Sequence, residues 1–239
     1  MTEARPPPPL WRRIAHTLTA EIGPGGMKPG TRLPTEAALA SRFGVNRHTV
    51  RRAMEVLVRN GLVRVEQGRG AFVTEPLLDY EVSARTRFSE WIRRQNREPS
   101  GQVLQLRSVP CAPEIAAGLG VERGSPVAWM ERLGMADGVP VSLASHFFPQ
   151  SRLPRILEAL QSQPTITTAL AAVGVDDYLR QTTRVTARLP RLAEAGHLRV
   201  SRARPLLVCE NTNVDRGGTI VEFGIARYPS TRVQVVFEP

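Results

Sequence analysis

The apolar residues near the start of the chain recur every three or four positions, which is the spacing of a helix with one buried face. This spacing predicts a first helix over Leu10–Ile22 and a second that starts near Thr35 and breaks at Gly44. A third helix follows Asn46, a favourable N-cap, and Asn60 and Gly61 supply its stop signal. The positions predicted to form the three buried faces are Trp11, Ile14, Ala15, Leu18, Ile22, Leu39, Phe43, Val50, Ala53, Met54 and Leu57.

After the third helix the apolar positions alternate with polar ones, which is the pattern of short strands. Strands are predicted at 62–65 and 71–73, and Gly68 and Gly70 supply the turn between them. The order of helix, turn, helix and hairpin is typical of a winged helix-turn-helix. In such a unit one helix lies in the major groove of DNA, and the hairpin, or wing, lies beside it.

The remaining two-thirds of the chain combines longer strand patterns with short helical ones. Asp137-Gly138 and Gly217-Gly218 are hairpin turn signals, and hairpins outnumber strand–helix–strand units. The predicted fold class is therefore α+β, with an N-terminal winged helix-turn-helix and a second domain built on an antiparallel sheet. We expect the first domain over 1–74, a linker containing Pro76 over 75–80, and the second domain over 81–239. Strands are predicted near 102–109, 127–136, 139–147, 178–189, 205–215, 219–228 and 232–237, and helices near 87–95, 113–118, 152–162, 165–173 and 191–196.

The composition fits a soluble globular protein. The chain has 239 residues, of which 41% are hydrophobic and 23% charged, and this length suits two domains. It contains no apolar run long enough to span a membrane, and its polar, proline-rich start does not resemble a signal peptide. We therefore expect a cytoplasmic, nucleoid-associated protein without a membrane partner. Cys111 and Cys209 lie far apart and lack metal-ligand spacing, so we expect buried thiols and neither a metal nor a cofactor.

The positive charge is concentrated at the N-terminal end. Residues 1–75 contain 12 Lys/Arg and 6 Asp/Glu, whereas the rest of the chain contains 20 and 16. This is the distribution expected if the first domain meets DNA phosphates. Because one helix-turn-helix binds weakly, we expect a homodimer that reads two half-sites of an inverted repeat in double-stranded DNA.

The third helix carries the predicted base contacts. Arg47, His48 and Arg51 face outward near its N-terminus, where an arginine can bridge O6 and N7 of guanine. The alternative interpretation is a solvated helix face. Main-chain N–H groups at the helix starts and the glycine-rich wing are expected to approach phosphates and the minor groove. The predicted DNA-binding residues are Thr35, Glu36, Asn46, Arg47, His48, Thr49, Arg51, Arg52, Gln67, Gly68, Arg69 and Gly70.

The second domain shows no convincing catalytic set. It lacks a phosphate-binding glycine loop, His146 and His197 are isolated, and Glu210 and Glu222 have no obvious partner. An anion site is easier to build, because arginines and hydroxyls near strand ends suit a phosphate or phosphonate. Ordinary surface arginine is the alternative for each. The candidates are Arg85, Arg87, Arg132, Arg184 and Arg227, with hydroxyls at Thr86, Ser89, Ser142, Ser145 and Tyr228.

The N-terminal segments 29–36, 43–53, 61–63 and 68–70 closely resemble the GntR family of bacterial transcription regulators. The resemblance implies that the positions of Arg47, His48 and Arg51 contact bases and that Gly68 approaches the minor groove. Some relatives carry a further DNA-contacting arginine where Ala37 or Ala38 stands here, so that contact is not expected.

The second domain resembles the UTRA effector domain of the HutC branch, whose fold is similar to chorismate lyase. The similarity lies in 86–90, in Arg132 before 137–140, in 147–149, and in Glu222 followed by Tyr228. Within that branch it looks most like phosphonate-utilisation regulators of the PhnF type. Sugar-phosphate-sensing relatives often have arginine and glutamate where Gly134 and Ala144 stand, which favours a smaller anion here. The effector-binding residues implied by the resemblance are Thr86, Arg87, Ser89, Arg132 and Tyr228.

The expected function is a ligand-responsive repressor of phosphonate or phosphate-ester uptake or metabolism genes, controlled by a small anionic effector. A HutC-type regulator of sugar-phosphate or amino-acid catabolism is one alternative. A lyase-like enzyme tethered to DNA and an architectural DNA binder are others. We do not expect an enzyme, because the acid–base or nucleophile set is missing and fold similarity does not imply activity.

Overall fold

The computed structural model describes residues 8–22, 26–66, 68–74, 77–85 and 87–237. The chain forms two compact units, Met1–Pro76 and Leu77–Pro239. Within the described ranges, no helix has the length and apolar character needed to cross a bilayer.

The first unit is a three-helix winged helix-turn-helix, as predicted. Ile14, Ala15 and Leu18 form the buried stripe of the first helix, which packs against the third. Gly44 adopts a left-handed conformation with φ of +62° and ends the second helix, so the chain can turn sharply into the third. The elements are α1 (Leu10–Ile22), α2 (Glu36–Phe43), α3 (Arg47–Arg59), β1 (Val63–Glu66) and β2 (Gly70–Val73), with β1 and β2 antiparallel.

The second unit is built on a six-stranded antiparallel sheet, which confirms the predicted α+β class. The strand order is β4-β5-β6-β9-β8-β7. The elements are β3 (Leu78–Glu81), α4 (Phe88–Arg94), β4 (Pro99–Pro110), α5 (Pro113–Leu119), β5 (Pro126–Ala136), β6 (Val139–Pro149), α6 (Ile156–Ser162), α7 (Ile166–Ala172), β7 (Tyr178–Arg188), α8 (Leu192–Leu198), β8 (Leu206–Asp215), β9 (Ile220–Pro229) and β10 (Val233–Val236).

The two faces of the sheet carry separate apolar clusters, because successive side chains of a strand point to opposite faces. On one face, Ala128, Met130 and Phe148 pack with residues of α6 and α7. On the other, Val127 and Phe223 pack with α5, and a smaller cluster packs with α8. Helices therefore cover both faces of the central strands, and a site on either face can be shielded from solvent.

The prediction of a linker over 75–80 was wrong for residues 78–80, which belong to β3. Leu78 and Tyr80 are buried while Asp79 and Glu81 are exposed, and the strand pairs in parallel with β10 at the other end of the chain. This two-stranded pair also departs from the purely antiparallel arrangement that we expected. The alternation is too short to be recognised without knowledge of its partner strand.

Candidate DNA-binding surface and ligand pocket

The outer face of α3 presents a row of cationic and polar side chains. Arg47, His48, Arg51 and Arg52 are exposed, whereas Val50, Ala53, Met54 and Leu57 are buried. Because the buried side is fixed by packing, the opposite side is held outward along the whole first half of the helix. This is the geometry that base readout in a major groove requires.

The start of α3 is fixed by its cap. Asn46 Oδ1 accepts hydrogen bonds from Thr49 N at 2.8 Å and Thr49 Oγ1 at 2.9 Å. At the start of α2, Thr35 Oγ1 accepts from Ala38 N at 3.2 Å. Both capping side chains are thus occupied, and what these helix starts offer a phosphate is their remaining first-turn N–H groups.

Two half-buried carboxylates pair with arginines of this surface. Glu36 Oε2 lies 3.3 Å from Arg51 Nη2, and Glu66 pairs with both Arg64 and Arg69 in the wing. The pairs of Arg51 and Arg69, whose own side chains are exposed, contribute about 0–1 kcal/mol each. These two arginines are therefore oriented by their carboxylates but can exchange them for phosphate at little cost.

The tip of the wing depends on glycine. Gly68 and Gly70 have φ of +75° and +115°, a region that other residues rarely adopt. A side chain at Gly70 would begin 3.0 Å from Nε of Arg32, which lies beside β2 through a backbone bridge to Phe72. The glycines thus let Arg69 protrude at the tip. Gln67, which we also predicted to bind DNA, lies outside the described residues.

The indole of Trp11 supports two arginines. Cζ of Arg52 lies 4.7 Å from the ring centroid and Cζ of Arg12 lies 5.2 Å from it. Neither guanidinium forms an ion pair with a carboxylate of the described residues. Sequence reasoning identified Arg52, whose contact to the indole depends on the packing of α1 against α3, but missed its neighbour on the same ring, Arg12.

The second unit contains a cavity of about 360 Å³ on one face of the sheet. Four of the predicted effector-binding residues, Arg87, Ser89, Arg132 and Tyr228, line it, and the fifth, Thr86, lies outside the described residues. The other candidate arginines lie elsewhere. Arg85 pairs with Asp177, Arg184 is exposed on β7, and Nε of Arg227 lies 3.1 Å from Glu194 Oε1 on the opposite face of the sheet.

Arg132 is one of the arginines that line the cavity. Its guanidinium lies over the Phe88 ring, 5.6 Å from the centroid, and burial lowers its pKa. It forms no hydrogen bond or ion pair with another described residue. The space that it occupies depends on Gly101, because a side chain there would begin 2.7 Å from Arg132 Nη2. A side chain at Gly134 would begin 2.6 Å from Cζ of Phe88, so a second arginine at that position would not fit.

Arg87 approaches the cavity from the start of α4. Its Nη2 donates to the carbonyl oxygen of Tyr178 at 2.8 Å, and its Cζ lies 3.6 Å from the centroid of the Tyr178 ring. Arg180 donates to the hydroxyl of Tyr80. The rings of Tyr80 and Tyr228 are in contact, with centroids 4.8 Å apart and planes tilted by 35°. Burial raises the pKa of Tyr228 well above its usual value, so its hydroxyl stays protonated.

A polar pair that the sequence did not reveal lies on the same cavity wall. His146 Nδ1 is 2.5 Å from Glu222 Oε1, and Asn213 Nδ2 donates to Glu222 Oε2 at 2.7 Å. Burial alone would raise the pKa of Glu222, but the hydrogen bond and attraction of His146, the hydrogen bond of Asn213 and the charge of Arg180 together leave the pKa below its usual value. Our expectation that His146 is isolated and that Glu222 lacks a partner was therefore wrong. The two residues are far apart in sequence and meet only through the pairing of β6 with β9.

The two units match two known sequence families. Residues 10–73 match the gntR family of bacterial regulatory proteins, and residues 94–234 match the UTRA domain. The chain belongs to the GntR family.

Similar proteins support this membership over nearly the full length of the chain. The HTH-type transcriptional regulator RB1450 of Rhizobium meliloti is 37% identical over 230 residues, covering 96% of this chain and 94% of the relative. PhnF, a probable transcriptional regulator of Escherichia coli, is 32% identical over 206 residues, covering 86% and 85%. The crystal structure of PhnF from Mycobacterium smegmatis has the same fold, with a TM-score of 0.65, 23% identity and coverage of 95% and 98%. The chain is thus a DNA-binding transcription regulator, not an enzyme.

The described residues that we predicted to bind DNA all belong to α2, α3, their caps or the wing of this GntR protein. Two of the charged residues among them contact side chains that we did not predict from the sequence. Glu66 holds Arg69, and Trp11 supports Arg52. The pair of Glu66 with Arg69 could have been identified from the sequence, because the two residues lie only three positions apart in one predicted hairpin.

Proposed function

We propose that this GntR regulator is a ligand-responsive repressor of genes for the uptake or metabolism of phosphonates or phosphate esters. The observation that carries the proposal is Arg132, a half-buried guanidinium that faces the cavity without a hydrogen-bond or ion-pair partner among the described residues. Burying a charge without a partner is costly, so its presence in a cavity is best explained by an anion that binds there.

The charge of the cavity wall favours an anion with two negative charges. The half-buried Arg87, Arg132 and Arg180 line the cavity, against one buried carboxylate, Glu222. The exposed Arg93 and Glu90 also line it and balance each other in charge. A phosphonate or phosphate group accepts several hydrogen bonds and matches the planar guanidinium of Arg132. A volume of about 360 Å³ admits a small organic molecule.

The absence of room at Gly134 disfavours the sugar-phosphate alternative. A second arginine there would collide with Phe88 and Ser142, and Ala144 presents no group that could bind a hydroxyl. A smaller anion can bind without a hydrogen-bonding side chain at either of these two positions. We therefore prefer phosphonates and small phosphate esters to amino-sugar phosphates.

The DNA-binding unit is proposed to act as one half of a dimer. A single recognition helix contacts only a few base pairs, so two units on an inverted repeat supply the affinity and the selectivity that a repressor needs. Ligand binding would shift the equilibrium between alternative arrangements of the two DNA-binding domains of the dimer. A coupling of about 1–3 kcal/mol between the sites is sufficient for a regulatory response. Sedimentation equilibrium of the purified chain in the presence of operator DNA tests the dimer. A chain that binds the operator as a monomer at micromolar concentration would contradict it.

Calorimetric titration of the full chain with methylphosphonate tests the ligand class. Wild-type protein should bind it, Arg132→Ala should not, and Arg184→Ala should bind like the wild type because Arg184 is exposed on β7 outside the cavity. A genomic footprint should then place the bound sites beside phosphonate or phosphate-ester genes. Equal binding by Arg132→Ala, or footprints confined to unrelated genes, would overturn the proposal.

A further inference from the structure

Tyr80 connects the cavity to the strand that follows the DNA-binding unit. It belongs to β3, is almost fully buried and lines the cavity. The first compact unit ends at Pro76, only four residues earlier in the chain. The cavity therefore reaches the segment that leads directly to the DNA-binding unit.

The hydroxyl of Tyr80 is held by a cation of the same cavity. Nη1 of Arg180 donates to this hydroxyl, and Nε of Arg180 donates to Asn213 Oδ1 at 3.4 Å. Among the described residues, Arg180 forms no ion pair with a carboxylate, and its Nη2 forms no hydrogen bond. The acceptors of this half-buried guanidinium are thus neutral, and part of its hydrogen-bonding capacity is unused.

An anion in the cavity is a better partner for Arg180 than the hydroxyl of Tyr80. A phosphate or phosphonate group attracts the guanidinium by its charge and accepts two parallel hydrogen bonds from it. A tyrosine hydroxyl is neutral and offers one oxygen. A ligand that enters the cavity therefore competes with Tyr80 for Arg180.

A cluster of aromatic rings links Tyr80 to the helix that supports Arg132. The centroids of Tyr80 and Trp91 lie 5.2 Å apart, and those of Trp91 and Phe88, the ring beneath Arg132, lie 5.7 Å apart. The helix α4 is also tied to β3, because Trp91 Nε1 donates to the carbonyl oxygen of Asp79 at 2.6 Å. The surroundings of Arg132 and the strand β3 are therefore in contact through one cluster.

We propose that the hydrogen bond between Arg180 and Tyr80 is the contact through which the ligand controls the DNA-binding unit. Without ligand it fixes β3 to the cavity wall. The bound anion draws Arg180 away from Tyr80, and the released strand passes the change to the chain segment that precedes it. Arg180 is then a ligand-binding residue that sequence reasoning missed, and Tyr80 is a positioning residue. The inference rests on the proposed function, from which it takes the anionic ligand and the response of DNA binding.

Tyr80→Phe tests this contact, because it removes the hydroxyl and keeps the ring in its cluster. The full-length variant should bind methylphosphonate about two- to tenfold more tightly than the wild type, the range that the loss of one competing hydrogen bond gives. Because coupling between two sites is reciprocal, the variant without ligand should bind operator DNA like the ligand-saturated wild type. Added methylphosphonate should then change its operator affinity by less than about twofold. A hydroxyl that only supports the fold would not make the ligand bind more tightly when removed.

A pair of arginine variants on one strand completes the test. Arg180→Gln should bind methylphosphonate more weakly than the wild type and lose the operator response. Arg184→Gln makes the same change at an exposed position of β7 outside the cavity and should retain both.

The outcomes separate this inference from the proposed function. Unchanged or weaker methylphosphonate binding by Tyr80→Phe, or a wild-type response in either Tyr80→Phe or Arg180→Gln, would overturn the inference and leave the anion site at Arg132 intact. A wild-type protein that does not bind methylphosphonate, or whose operator affinity does not respond to it, would overturn both.

Discussion

Replacing Arg132 by methionine tests the ligand site through the stability of the protein. The wild-type guanidinium is half-buried, and burial lowers its pKa below the value of an unfolded arginine. A cation whose pKa is lower in the folded state destabilises that state at every pH at which it is charged in both states, including neutral pH. Methionine places an unbranched apolar side chain over Phe88 and removes the desolvation cost of the guanidinium.

The expected magnitudes are measurable. Removing a polar group that lacks a partner recovers about 1 kcal/mol of its desolvation cost. For a domain of this size, that raises the Tm by about 2–4 °C. Methylphosphonate at 100 times its Kd should add about 2.7 kcal/mol to the wild type, which corresponds to roughly 5–11 °C. The variant should show none of this ligand-dependent shift.

Differential scanning calorimetry of the full chain, with and without methylphosphonate, measures both the Tm difference between the proteins and the shift in Tm caused by the ligand. Arg184→Met is the matched control, because that arginine is exposed and lies outside the cavity. Its Tm and its response to ligand should equal those of the wild type. The reasoning is refuted if Arg132→Met is less stable than the wild type without ligand, or if its ligand-dependent shift persists.

Three further predictions concern the DNA surface and the opposite face of the sheet. Arg47→Ala should weaken operator binding by about 1–3 kcal/mol and relax sequence preference in a binding-site selection assay; unchanged preference would remove it from the base contacts. Arg12→Ala should reduce the slope of log affinity against log salt by about one at unchanged sequence preference, and an unaltered slope would show that Arg12 contacts no phosphate. Arg188 lowers the pKa of Glu194 to about 2 from 4.5, so the stabilisation that Glu194 provides over Glu194→Gln should be complete above pH 4.5 and lost as the pH falls towards 2. Urea unfolding across this range measures it, and a difference that does not vary with pH would contradict the ion pair.

The elements that local signals define were predictable from the sequence. The cap at Asn46, the left-handed Gly44 and the apolar stripe of α1 each act within one or two helical turns, so the winged helix-turn-helix was recognised with nearly correct bounds. The hairpin turns at Asp137-Gly138 and Gly217-Gly218 likewise fixed the antiparallel class of the second unit.

Contacts between distant parts of the chain were not predictable. The parallel pairing of β3 with β10 joins segments about 155 residues apart, as the hydrogen bond from Gln234 to Asp79 shows. The pairing of His146 with Glu222 depends on the register of β6 and β9, and a shift of one residue would place them on opposite faces. The sequence supplied the residue types of the pocket, whereas the register decided which of them meet.

The most direct test of the account is the affinity of the full chain for its own operator duplex, measured by fluorescence anisotropy with and without methylphosphonate. The account predicts that the ligand changes the wild-type affinity by at least about fivefold. It predicts equal affinities for Arg132→Ala in both conditions, close to the wild-type value without ligand. A wild-type affinity that does not respond to the anion, or an Arg132→Ala variant that still responds, would contradict the claim that an anion at Arg132 controls the binding of DNA.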